Sequence, residues 1–140
     1  MGQAETFEHT ADLGLRVVAR DLPDLFRTAA SGLFDVIVAN RADVRDQEEE
    51  TLTLEAESTE DLLLGWLNEL IFRCETRHRL YQRFDVRVDA SGHRLEATIA
   101  GEPIDRDRHV LDHEVKAATR HGLVVRPEAG GWLAEVILDI

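Results

Sequence analysis

The chain has 140 residues, of which 44% are hydrophobic. This is enough for one compact core and too short for two domains of ordinary size. The 28 acidic residues outnumber the 16 basic ones, and the formal net charge is −12. Because such a surface repels phosphate backbones, we expect no extensive direct contact with RNA or DNA. A basic protein partner or a cation suits this charge better, although acidity also serves solubility alone.

Nothing in the sequence indicates membrane insertion or export. No apolar run approaches the roughly 20 residues that span a bilayer. Residues 1–10 are polar and acidic, without a basic stretch before an apolar one. The single cysteine, Cys74, cannot form an internal disulfide, which suits a reducing compartment. We therefore expect a soluble, cytoplasmic protein without membrane contact.

The first part of the chain predicts a strand followed by a helix. Alternating apolar residues over residues 13–19 indicate a strand with one buried face. Asp21 then suits the N-cap of a helix, and Pro23 suits its first turn. The apolar residues of this helix recur at spacings of three and four, as in a stripe that faces a core. They are Leu22, Leu25, Phe26, Ala29, Leu33, Phe34 and Ile37.

A polar segment and a second helix follow. Residues 40–50 predict a loop, and the three glutamates at 48–50 predict a solvated face. After a short strand, Ser58 suits the N-cap of the second helix, with Asp61 as an acid in its first turn. Trp66 falls on the apolar stripe and is interpreted as a core anchor. The helical pattern ends between residues 74 and 79.

The second half predicts mostly strands. Residues 84–88 and 95–99 alternate around a Ser-Gly turn, as in a hairpin. Residues 101–113 predict an irregular connection, and residues 115–125 a further strand. The last segment, residues 132–140, is apolar on both faces, which is typical of a central strand in a covered sheet.

Together these elements predict an α+β fold, with two helices packed on a mainly antiparallel β-sheet of about six strands. Residues 1–140 would form a single compact domain.

No enzyme signature is present: the sequence has no Gly-rich phosphate loop, nucleophile elbow or Cys-x-x-Cys pair. His109 and His113 are four residues apart, as are Cys74 and His78. Zinc normally takes three or four protein ligands, so we favour solvated histidines over a zinc site.

Four short blocks carry a resemblance to a known family. Residues 7–14 read Phe-Glu-His-Thr-Ala-Asp-Leu-Gly, residues 101–105 read Gly-Glu-Pro-Ile-Asp, residues 114–119 read Glu-Val-Lys-Ala-Ala-Thr, and the chain closes on Val-Ile-Leu-Asp-Ile. In this order and over the whole length, they resemble the archease family. One departure is Arg120, where members of the family often have an aromatic residue.

The resemblance implies a cation site formed by Asp12, Asp139 and the terminal carboxylate of Ile140, with Lys116 as a functional residue nearby. Carboxylate oxygens suit hard cations such as calcium, magnesium or manganese, and of these calcium is the ion we expect at the site that the resemblance implies. Sequence alone also allows ordinary structural roles for these residues. Asp12 could be an acid in a turn, Asp139 could lie in a frayed strand end, and Lys116 could be a lysine at a strand edge. Of the 16 basic residues, Lys116 alone is a lysine. His9 would support the turn before Asp12 through a side-chain hydrogen bond.

The resemblance also implies a function. Archeases are non-enzymatic activators of the RtcB-type RNA-splicing ligase, which joins a 2′,3′-cyclic phosphate or 3′-phosphate to a 5′-hydroxyl in tRNA splicing and uses manganese and GTP. They promote its guanylylation and turnover. The alternative is a calcium- or magnesium-binding, chaperone-like module for nucleic-acid-modifying enzymes. A metal-dependent hydrolase is disfavoured, because the sequence offers no recognisable nucleophile or general base.

Overall fold

The computed structural model of the chain describes residues 2–9 and 12–140, with the side chains of all these residues except Glu8 and His9. Within them lie two α-helices, a short 3₁₀ turn at Arg41–Asp43 and seven β-strands. The helices are α1 (Leu22–Ile37) and α2 (Thr59–Arg77). The strands are β1 (Gln3–His9), β2 (Asp12–Ala19), β3 (Glu48–Glu55), β4 (Arg79–Val88), β5 (Arg94–Pro103), β6 (Ala117–Glu128) and β7 (Gly131–Asp139).

The strands form two antiparallel sheets. One sheet has the order β1-β2-β7-β6 and the other the order β3-β5-β4. Each helix contacts strands of both sheets, so the helices lie between them. The α+β class with two helices on antiparallel β-structure is confirmed, but the expected single sheet is in fact two. Neither helix of the described residues is long and apolar enough to cross a membrane.

Both helices begin at the predicted residues. The Asp21 carboxylate accepts the backbone N–H of Asp24 at 2.9 Å, and Ser58 Oγ accepts that of Asp61 at 3.1 Å. Each bond satisfies one of the N–H groups that a helix start leaves without a partner. The second helix ends at Arg77, and its C-cap residue His78 takes a left-handed conformation with φ of 53°, after which β4 begins.

Trp66 is the core anchor that the sequence predicts. Its indole is fully buried and donates Nε1–H to the carbonyl of Phe26 at 2.9 Å, which ties α2 to α1. Phe34 of α1 packs against Tyr81 edge-on and against Phe84 in a stacked arrangement. These rings join the helix layer to β4.

The last strand is central, as predicted, because β7 lies between β2 and β6. The helices cover only one of its faces. On the other face Ile137 is 4% exposed without a helix above it. There β6 inserts four residues, 120–123, opposite the single residue Val136, and Gly122 of this bulge lies next to Ile137.

Two groups predicted to be solvated are shielded from solvent: His109 is buried and Glu50 is half-buried. Glu48 and Glu49 keep side-chain exposures near 60%, but the Glu50 side chain is 17% exposed and accepts hydrogen bonds from Arg73, Arg77 and Tyr81. His109 is 3% exposed, and its imidazole contacts Glu102. The prediction of a solvated side chain was therefore wrong for Glu50 and His109. The partners of Glu50 lie far along the chain, and His109 lies in an irregular segment whose contacts no periodic pattern reveals.

Candidate functional site

The two predicted aspartates stand at the same end of the four-stranded sheet. Leu13 of β2 lies opposite Leu138 of β7 in an antiparallel pair. Asp12 precedes Leu13 and Asp139 follows Leu138, so the two aspartates lie at the same end of two neighbouring strands.

The predicted lysine lies at the same end. The backbone N–H of Lys116 donates to the carbonyl oxygen of Asp139 at 2.7 Å, and Ala117 lies opposite Asp139. On the far edge of β6, Asn68 of α2 donates to the Ala118 carbonyl at 3.0 Å and accepts its N–H at 2.8 Å. The start of β6 is thus held from both sides, and the Lys116 side chain projects from it exposed to solvent.

Ile140 follows Asp139 directly and is half-buried against the hydrophobic core. The structure therefore brings Asp12, Lys116, Asp139 and Ile140 to one end of one sheet. On β1, His9 lies opposite Asp12. The side chain of His9 and residues 10 and 11 lie outside the described residues, so the expected hydrogen bond from His9 stays a prediction.

The aspartates point away from the helices. Along β2, Leu15 and Val17 are fully buried against the helix layer, whereas Arg16 between them is partly exposed. Because successive side chains along a strand point to opposite faces of the sheet, Asp12 lies on the same face as Arg16. Both Asp12 and Asp139 are half-buried there, so solvent and a partner can reach them.

A flat aromatic surface borders the aspartates on this face. The Phe7 ring lies across Gly14, so closely that a Cβ atom on Gly14 would be 2.2 Å from the ring. The Arg16 guanidinium stacks 4.8 Å from the ring centre and donates to Glu5 at 2.7 Å and Glu135 at 2.6 Å.

The electrostatics of the two aspartates differ from those of neighbouring carboxylates. Glu5 and Glu135, on the same face of the sheet, both pair with Arg16. Within the described part of the chain, neither Asp12 nor Asp139 has an arginine or lysine side chain at ion-pairing distance. Two carboxylates at the same strand end without a basic partner offer anionic oxygens that suit a hard cation.

The donor set suits an ion that keeps part of its water shell. Among the described side chains, no group of three or more His, Cys, Asp and Glu residues converges closely enough to hold a metal ion. The two aspartates would supply only part of a six- to eight-oxygen shell. Calcium or magnesium completes such a shell with water.

The Gly-Glu-Pro block builds a buried support rather than part of this site. Glu102 is 3% exposed and accepts hydrogen bonds from Arg108, from the Arg45 backbone N–H at 2.7 Å and from His109 Nε2 at 2.9 Å. Burial alone would raise the pKa of Glu102, but these donors outweigh it and lower the pKa to about 2. Sequence reasoning gave Glu102 no role, because its partners Arg45 and His109 follow no periodic pattern.

The two histidines considered as zinc ligands have different surroundings, because His109 belongs to this buried network and His113 does not. His109 Nδ1 accepts the Asp105 backbone N–H at 2.9 Å, so Nε2 carries the proton and donates to Glu102. His113 is exposed and lies 3.6 Å from Asp112. Burial raises the pKa of the Cys74 thiol to about 11, which keeps it protonated at neutral pH.

Comparisons with known proteins agree with these motifs. Residues 5–140 match the Archease protein family (MTH1598/TM1083). Protein archease of Methanopyrus kandleri is 39% identical over 138 residues, covering 97% of this chain and 98% of the relative. Protein archease of Pyrococcus abyssi is 34% identical over 143 residues, with both chains covered completely.

Solved structures share the fold. The solution structure of Methanobacterium thermoautotrophicum protein 1598 superimposes with a TM-score of 0.85 at 35% identity, covering 98% of each chain. The crystal structure of a Thermotoga maritima archease, described as a possible chaperone, gives a TM-score of 0.64 at 19% identity, covering 99% of this chain and 98% of that one. Because the family match spans nearly the whole chain and the relatives exceed 30% identity over their full length, this chain belongs to the archease family.

Proposed function

We propose that the chain is a non-enzymatic, cation-binding activator of an RtcB-type RNA ligase. The observation that carries the proposal is the meeting of Asp12, Asp139 and Lys116 at one end of the β1-β2-β7-β6 sheet, although they are far apart in sequence. These are the residues that the archease motifs mark. Membership of the family supports the same reading.

The carboxylates would hold the cation at the edge of the protein, where a partner can reach it. Asp12 and Asp139 are half-buried, and the Ile140 carboxylate would add a third anionic group next to Asp139. A bound calcium or magnesium ion would supply positive charge that orients phosphate or carboxylate oxygens of the partner's site. The chain itself provides the geometry, because β2 and β7 are paired over seven residues behind these side chains.

Lys116 would act beside that ion. Its side chain is exposed while its backbone is fixed to β7, so its ammonium can reach past the sheet end toward a partner. An ammonium is a compact donor on a flexible stem, which suits a phosphate-bearing group in a crowded site. In this role the lysine assists the ligase's guanylylation and does not itself catalyse a reaction.

The strongly acidic composition fits a protein partner better than RNA. At a net charge of −12, the chain would reach RNA only through the ligase. On this proposal the protein works in the cytoplasm, where tRNA processing takes place and where its one cysteine stays reduced.

The direct test is the rate of ligase guanylylation. A matching RtcB-type ligase is incubated with GTP and manganese, with and without the chain, in single-turnover and multiple-turnover assays. We expect substoichiometric amounts of the chain to accelerate formation of the guanylylated ligase. Unchanged rates at all ratios would refute the activator role.

The second candidate is a chaperone-like module, because the structurally related Thermotoga maritima protein is described as a possible chaperone. The same samples separate the two functions. A chaperone would keep the ligase soluble during heating without changing the guanylylation rate of ligase that is already folded.

A further inference from the structure

A groove of about 490 Å³ opens beside the candidate site, at the end of the molecule where β6 begins. Its walls come from the C-terminal ends of both helices and from residues 104–115. Val115, which lines it, directly precedes Lys116. The volume falls within the range of about 300–1,000 Å³ that is common for binding clefts.

The floor of the groove is apolar. Ile37, Ile71, Cys74 and Val115 contribute side chains that are at most 8% exposed, and Ile104 is half-buried at its edge. These positions are fixed by backbone bonds: the N–H of Asp112 donates to the Ile37 carbonyl at 2.8 Å, and that of His113 to the Val36 carbonyl at 3.1 Å. The groove is therefore formed before any partner arrives.

The rim is acidic. Glu75, Asp112 and Glu114 stand around it with Arg106 as the only arginine, which leaves two net negative charges when His78 and His113 are neutral. In the described residues neither Glu75 nor Glu114 has a basic side chain at ion-pairing distance, and Asp112 has only His113. This contrasts with Glu50, which is surrounded by arginines.

We propose that this groove is the docking surface for a basic segment of the partner ligase, with an apolar side chain in the groove and flanking arginines or lysines on the rim. The inference rests on the proposed function. The charge of the rim argues against the other occupants: it repels phosphates of RNA or nucleotides, and it repels a second copy of this acidic chain. Docking here would set Lys116 and Asp139 against the ligase, because Val115 joins the groove to Lys116.

The test reverses rim charges and measures the affinity for the matching ligase. Glu75→Lys and Glu114→Lys are combined in one variant, and Glu57→Lys with Glu96→Lys form the matched control, since both control residues are exposed and line no part of the groove. Glu57 lies before the start of α2, about 25 Å along the helix from Glu75. All four sites are on the surface, so both variants should fold, which thermal melting checks.

We expect the groove variant to raise the Kd for the ligase at least tenfold and to flatten its dependence on salt, while the control keeps the wild-type Kd. At saturating concentration the groove variant should still reach the wild-type guanylylation rate, because the cation site is intact. Hydrogen exchange of the wild-type complex should slow in residues 71–78 and 104–115.

Equal Kd values for groove and control variants, or protection confined to other surfaces, would overturn the docking surface while leaving the activator role standing. Tight binding of RNA or of a second copy at the groove would overturn it as well. If the wild-type chain neither binds nor stimulates the ligase, the proposed function fails first, and the docking surface fails with it.

Discussion

The backbone N–H of Lys116 bonds to the carbonyl of Asp139, at the point where β6 joins the end of β7. The contact uses main-chain atoms only, so it fixes the position of Lys116 whatever its side chain is. Substitutions of Lys116 should therefore change the chemistry of the site without changing the strand register.

For Lys116→Arg we expect at least a tenfold loss of ligase stimulation with an unchanged melting temperature. The planar guanidinium is broader than an ammonium and would not fit a site built for a point charge. Single-turnover guanylylation measures the effect. Arg87→Lys, an exposed exchange on β4, is the matched control and should keep full stimulation. Full stimulation by Lys116→Arg would return Lys116 to an ordinary surface role.

Much of the fold followed from local patterns. Asp21 and Ser58 were identifiable as N-caps because capping depends on neighbours three residues away. By contrast β1 was missed, because residues 3–9 are largely polar and exposed and the strand is defined only by its pairing with β2. The division into two sheets was also out of reach, since periodicity identifies faces of strands and not their order.

The candidate site could not be predicted from local sequence patterns either. Nothing local to Asp12 or Asp139 indicates that they meet, because their proximity depends on the pairing of the second strand with the last. Sequence placed them together through family motifs alone. Glu50 was misjudged for a related reason, because its partners Arg73 and Tyr81 are more than 20 residues away.

Asp139→Ala should abolish cation binding and ligase stimulation while the protein stays folded. One half-buried acid at the end of a strand contributes little packing, so the melting temperature should change by only a few degrees. Calorimetric titration with calcium, magnesium and manganese measures the affinity. Asp107→Ala removes a carboxylate from an exposed position elsewhere and should bind as the wild type does. An unfolded Asp139→Ala variant would instead make Asp139 a structural residue.

The lowered pKa of Glu102 predicts that the protein loses stability in acid. Its folded pKa of about 2 lies below the ordinary value of 4.5, so its ionised form stabilises the folded state. This contribution is fully present above about pH 4.5 and disappears as the pH falls toward 2. It amounts to about 3 kcal/mol.

Urea unfolding at a series of pH values tests this. Glu102→Gln should lower the free energy of unfolding at pH 7 and flatten its decline between pH 4.5 and 2. Glu57→Gln, at an exposed position, should follow the wild-type curve. Parallel curves for Glu102→Gln and wild type would show that the buried carboxylate does not control acid stability.

Extending the chain beyond Ile140 should weaken cation binding. A fused segment converts the terminal carboxylate into a neutral amide and so removes one negative charge beside Asp139. The same segment placed before Met1 should leave the affinity unchanged. Calorimetric titration of both fusions with calcium compares them, and equal affinities would exclude the terminal carboxylate as a ligand.

The contact between Phe7 and Gly14 predicts that substitutions at the two positions are coupled in their effect on stability. A methyl group at position 14 would overlap the Phe7 ring, so Gly14→Ala must push the ring off the sheet and away from Arg16. We expect this to cost about 1–3 kcal/mol of stability and to lower the cation affinity, because Asp12 lies two residues from Gly14 on the same face.

Phe7→Ala alone should cost a similar amount through lost ring burial. In the double variant the overlap is gone, so its total cost should be clearly less than the sum of the two single costs. Urea unfolding and calcium titration of all four proteins measure the coupling. Additive costs would mean that the ring does not rest on Gly14 in solution.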